Sequence, residues 1–205
     1  RISIKAPGAQ GMTLLYDRFF LPPGATLHLS NPYTNEILGA FTEKNNNKVK
    51  RFATGIVLGD VTILEYYEPA AQRGRGALNV AQVGHAYRMM GQLKGLGDAG
   101  NCQVNVNCEE VADWQDEKRG VAHYTVNGTA TCSGSLINNT AEDATPYFLT
   151  ADHCIGGLDA LGDVDAIGYV FYWDFERAGC DNTGPVPTNT TAGAILLANN
   201  VDSDF

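Results

Sequence analysis

The sequence predicts an all-β protein, with an N-terminal antiparallel β-sandwich followed by a second β-unit that carries every cysteine. Three observations predict it. Up to residue 88, about six or seven short apolar-alternating runs recur between Gly, Pro and Asn turn signals, with no 3.6-residue period. All five cysteines fall later, between Cys102 and Cys180. Between the two regions, residues 89–101 form a glycine-rich passage with little periodicity, which is the composition of an interdomain linker or a processing site.

The N-terminal elements follow in order. Ile2-Ser3-Ile4-Lys5 alternates, Pro7-Gly8 turns the chain, and Met12-Thr13-Leu14-Leu15-Tyr16 resumes an extended run. Pro22-Pro23-Gly24 breaks it before Thr26-Leu27-His28-Leu29, and Asn31-Pro32 breaks it again before Glu36 to Phe41. The polar stretch Lys44 to Lys48 reads as a loop. Phe52 to Val57 and Val61 to Tyr67 read as two strands about a Leu58-Gly59-Asp60 turn, and Leu78 to Arg88 reads as a closing strand that leads out of the domain. His28 and His85 have no companion ligand or nucleophile at a suggestive spacing, so both are assigned to structure.

Bulk properties narrow the function classes. A formal net charge of −9 over 205 residues argues against nucleic acid as partner, because that binding rests on Lys and Arg neutralising phosphates. No apolar run approaches the roughly 20 residues of a membrane helix. Arg1-Ile2-Ser3-Ile4 lacks a signal-peptide layout and reads as a strand already under way, so an upstream segment is expected. Five cysteines in a turn-rich region point to disulfides and an oxidising, extracellular compartment, and the odd count leaves one over. With no Cys-x-x-Cys pair a zinc site is weakly supported. Asp159, Asp163 and Asp165 lack the spacing of a calcium loop, so no metal or cofactor is expected. Asn127, Asn138 and Asn189 each open a sequon, which matters only if the source glycosylates such sites.

The chemistry centres on Cys132-Ser133-Gly134-Ser135-Leu136-Ile137-Asn138, a polar connection, and then Thr150-Ala151-Asp152-His153-Cys154. This arrangement resembles the first barrel of a chymotrypsin-like serine protease. From Asn101 onward the likeness is closer. Cys102 to Cys108, Ala112-Asp113-Trp114 to Arg119, Pro146 to Cys154 and Val170-Phe171-Tyr172-Trp173-Asp174 to Cys180 are similar in order and spacing to the bacterial secreted lysyl endopeptidase group.

Residues 1–88 show no chemistry and read as an accessory domain, pro-segment or binding module, with 89–101 as linker, while the resemblance implies 102–205 as a first, incomplete β-barrel without the second. It implies a secreted serine endopeptidase acting on protein or peptide substrates after lysine, with His153 as general base. A serine hydroxyl needs such an imidazole to take its proton, and the imidazole needs a buried carboxylate to hold its tautomer. The family's triad aspartate falls in a Ser-Asp-Phe motif, here Ser203-Asp204-Phe205. That favours Asp204 over Asp202. The resemblance also implies bridges Cys132–Cys154 and Cys108–Cys180, with Cys102 paired to a second barrel beyond residue 205. The nucleophile and oxyanion hole belong to that barrel. Ser135 sits in a strand motif and nothing around it resembles a nucleophile elbow. The alternative reading is a non-catalytic secreted binding or structural protein that keeps a protease-like half-barrel.

Overall fold

The computed structural model describes residues 1–87, 104–128, 130–156, 166–180 and 189–204. Its described residues form an all-β structure in two compact units, one built on residues 1–87 and one on most of the residues from 104 onward. The 89–101 passage, Cys102 and the loop bearing Asp159, Asp163 and Asp165 lie outside the described residues. No helix among the described residues is long and apolar enough to cross a membrane.

The first unit contains eight strands: β1 (Ile2–Lys5), β2 (Gly11–Phe20), β3 (Thr26–Ser30), β4 (Ile37–Phe41), β5 (Phe52–Ala53), β6 (Val57–Leu58), β7 (Val61–Tyr67) and β8 (Ala77–Ala86). They make two antiparallel sheets, one ordered β1-β7-β3-β4 and the other built by β5, β6 and β8 pairing with β2. Tyr16 and Phe19 are three residues apart on β2, so simple alternation would point them to opposite faces. Register shifts at Leu15/Tyr16 and Tyr16/Arg18 change the phase, and both rings are buried with centroids 5.4 Å apart. Phe52 stacks on Phe19 at 4.3 Å and meets Phe41 of the other sheet edge-on at 5.1 Å.

Two local expectations are corrected here. The single strand expected over Phe52 to Val57 is two short ones. Buried Thr54 interrupts it by accepting the Leu14 N–H on its own hydroxyl at 3.0 Å, where a ladder partner would have been. The loop at Lys44 to Lys48 begins as a 3₁₀ turn over Glu43–Asn45, capped reciprocally by Thr42 and Asn45. Just beyond, the Asn46 amide accepts from the Leu21 N–H at 2.9 Å and donates to the Leu21 carbonyl at 2.8 Å, satisfying the backbone of a fully buried residue. The closing strand expected over Leu78 to Arg88 is found as β8, which pairs with β2 from Gly11↔Ala86 to Phe20↔Ala77, while Arg88 lies outside the described residues.

The second unit is a half-barrel of five strands: β9 (Val121–Val126), β10 (Ala130–Ile137), β11 (Tyr147–Leu149), β12 (Tyr169–Trp173) and β13 (Thr190–Ala192), in the order β11-β10-β9-β12-β13. Rings supply much of its interior. Phe148 of β11 meets Phe171 at 4.9 Å, Tyr124 at 5.8 Å and Trp173 at 6.0 Å, all edge-on. Edge-to-face pairs of this kind add to what their burial contributes. His123 stacks on Phe175 at 4.6 Å, and its burial pushes the imidazole's titration down.

Gly134 makes the close packing of β11 on β10 possible. A Cβ there would lie 2.3 Å from the Leu149 carbonyl oxygen and 2.6 Å from the Phe148 ring. The carbonyl belongs to a paired strand and cannot retreat. Gly134→Ala should therefore destabilise the protein by about 1–3 kcal/mol, as overpacked sites do; urea unfolding measures it, and an unchanged midpoint would contradict the packing described.

Candidate active site

Two cross-links hold the second unit together. Cys108 is bridged to Cys180 and Cys132 to Cys154. Beside the first, the half-buried Lys118 ammonium donates to Glu176 Oε1 at 2.6 Å and to Asn107 Oδ1 at 2.7 Å. The opening of the unit is thus fastened to the segment after β12.

The second bridge suspends His153. The residue does not end a strand. It opens a one-turn helix, α1 (His153–Gly156), four residues after β11 stops. A single turn has no helical stability of its own, so the segment is anchored from outside. Thr150 Oγ1 donates to the Ser133 carbonyl of β10 at 2.9 Å. That uses the hydroxyl's one proton, so the buried Tyr124 phenol must be the donor in its 2.8 Å contact with Thr150. Burial pushes the Tyr124 phenol's titration up, which suits a permanent donor.

His153 and Asp204, 51 residues apart, are brought together. The His153 ring nitrogen Nδ1 lies 2.9 Å from Asp204 Oδ2 and 3.0 Å from Oδ1, and the His153 backbone N–H donates to Oδ1 at 2.9 Å. The backbone bond first, and the ring second, hold the Asp204 carboxyl below the usual aspartate range. With Nδ1–H facing the carboxylate, Nε2 keeps its lone pair. The carboxylate differs from expectation in one respect: it is not buried. Its side chain is 54% exposed and that of His153 is 71% exposed, because every residue of the 201–204 turn lies at the surface. Asp202 sits in the same turn but does not make the contact with His153.

The same region contains bonds that the sequence reading missed. Asp152 is 6% exposed, accepts from Asn199 Nδ2 at 2.7 Å, and donates its backbone N–H to the Asp204 carbonyl at 3.1 Å. The one available signal was an acid in the open slot of Thr-Ala-x-His-Cys. Ser135 stands within β10, in register with Val121 on one side and Leu149 on the other. Among the described residues, metal-ligand spacing occurs in Cys132, His153 and Cys154, but both sulfurs are committed to a disulfide and offer no thiolates.

Residues 96–205 match the family model for the C-terminal domain of lysyl endopeptidase. The chain belongs to the lysyl endopeptidase family. A protease-related function and a peptide substrate follow from that membership, and the two disulfides are compatible with a secreted protein. The His153–Asp204 contact lies inside the matched lysyl endopeptidase region, as do both disulfides.

Two outcomes are expected. The Asp204 carboxyl has a lowered folded-state pKa, so the stability from its contacts is complete above the ordinary aspartate value of roughly 3.9. That stability is lost as pH falls through the lowered value. A carbon-13 titration should find the midpoint below an ordinary aspartate's; one at or above it would mean the His153 bonds are not formed in solution. Replacing Cys132 and Cys154 together by Ala should cost about 3 kcal/mol, because the bridge closes a loop with a sequence separation of 22. Chemical denaturation reads that loss.

Proposed function

We propose that this protein is the N-terminal part of a secreted serine endopeptidase of the chymotrypsin-like class, cleaving peptide bonds after lysine. The observation that carries the reading is the Asp204 carboxylate held against His153 Nδ1 at 2.9 Å, with Nε2 on the opposite side of the ring. In this reading Asp204 fixes the imidazole's tautomer and balances the charge it gains. His153 Nε2 takes the proton of a serine hydroxyl as that oxygen attacks the peptide carbonyl, then passes it to the leaving amine. The serine and the amides that stabilise the oxyanion belong to polypeptide beyond residue 205. Preference for lysine rests on the family alone. Cys102 pairs with the second barrel, residues 89–101 act as a linker, and the N-terminal β-sandwich serves as an accessory or pro-domain.

The test uses the protease with its second barrel, assayed on lysyl peptide substrates. His153→Ala should lower kcat by on the order of 10⁴-fold or more while KM changes little, as removal of a triad base does. A circular dichroism spectrum matching the unmutated protein would show that folding is intact. Turnover that survives the substitution would reject the assignment and leave the binding or structural reading in its place.

A further inference from the structure

The geometry points to Asp152 as a positioning residue: its buried carboxylate, acting through Asn199, holds the 199–204 turn in the arrangement that presents Asp204 to His153. The inference rests on the His153–Asp204 reading given above and adds a part to it.

Residues 197–204 are exposed throughout, with Leu197 and Val201 at 71% and 78%. Apolar packing therefore does not hold this segment, and polar bonds must. Asp204 itself has φ +54°, a left-handed turn conformation that aspartate adopts more readily than most L-residues. Inside the turn, Asn200 Oδ1 accepts from the Ser203 N–H at 3.0 Å and from Ser203 Oγ at 3.2 Å, which closes the loop locally but ties it to nothing else. Two neighbours in the chain anchor it from outside: His153, whose N–H and ring meet the Asp204 carboxylate, and Asp152. The Asp152 carboxylate accepts from the Asn199 amide at the start of the turn, and the Asp152 backbone N–H donates to the Asp204 carbonyl at the end.

Burying a carboxylate is costly unless its oxygens are bonded. At 6% exposure Asp152 is held in place by the fold, so the Asn199 bond transmits the rigidity of the anchored His153 segment to a turn without packing of its own. Asp152 neighbours His153 in the chain. The residue that orients the imidazole's partner thus moves with the imidazole.

The readout is the tautomer of His153, which a purely structural role would not change. Only four histidines are present, so nitrogen-15 labelling of the 205-residue chain resolves each ring. At a pH where the ring is neutral, the native protein should show His153 mainly as the Nδ1–H form, set by its bond to Asp204. Asp152→Ala should make Nε2–H the major form at His153 and leave His28, His85 and His123 as they were. Asp152→Asn, which keeps an acceptor for Asn199, should restore the native ratio. If Asp152→Ala does not fold, Asn199→Ala cuts the same bond from its exposed end and should give the same reversal. A native ratio in Asp152→Ala, or in Asn199→Ala where the first does not fold, overturns the inference. Asp204→Ala is the reference: a native ratio there would overturn the His153–Asp204 pairing itself and the inference with it, so the two failures are told apart.

Discussion

The bond between Cys132 and Cys154 joins a strand in the middle of a sheet to a helical turn in which none of residues 153–155 is buried. A turn that short would sample many orientations if left to its own hydrogen bonds. With the cross-link on one side and Thr150 clasping the Ser133 carbonyl on the other, its position is inherited from β10. β10 in turn lies between β9 and β11, and the Phe148 ring closes over Gly134. The placement of a single imidazole can therefore be traced through a disulfide, a hydroxyl and a glycine to an aromatic core.

The partner carboxylate is held by different means. Among the described residues no apolar layer covers the turn that carries it, and its order comes from amide and carboxyl groups bonded in sequence. Such polar chains depend on direction as well as distance, so they specify orientation well even where they contribute little to stability. The half-barrel thus uses hydrophobic packing to locate His153 and hydrogen bonds to aim Asp204.

How much of this was legible in the sequence varied with the kind of interaction. The all-β class and most strand positions were readable because alternation and Gly, Pro and Asn punctuation are local properties. The splitting of the strand at Thr54 and the clasp of Asn46 on Leu21 were not, since each needs a partner 40 or 25 residues away. At the site, His153 and Asp204 stood out through family motifs. The exposed setting of Asp204 could not be read, because exposure is a property of the surrounding fold. Asp152 was visible as a letter but its role was not, since Asn199 carries no motif.

The open setting of the His153–Asp204 contact bears on its response to its surroundings. Charges facing water are weakened by the solvent's high dielectric constant and by dissolved salt, which screens over about 10 Å at 0.1 M ionic strength. Once the ring is protonated, any molecule or polypeptide that covers the 201–204 turn and displaces water would strengthen the attraction between imidazolium and carboxylate about fourfold, as the effective dielectric falls from that of water to that near a protein surface. No atom of the pair need move. Occupancy of that surface would be felt at the imidazole as a change of medium, so the contact is one whose strength is set by what lies above it.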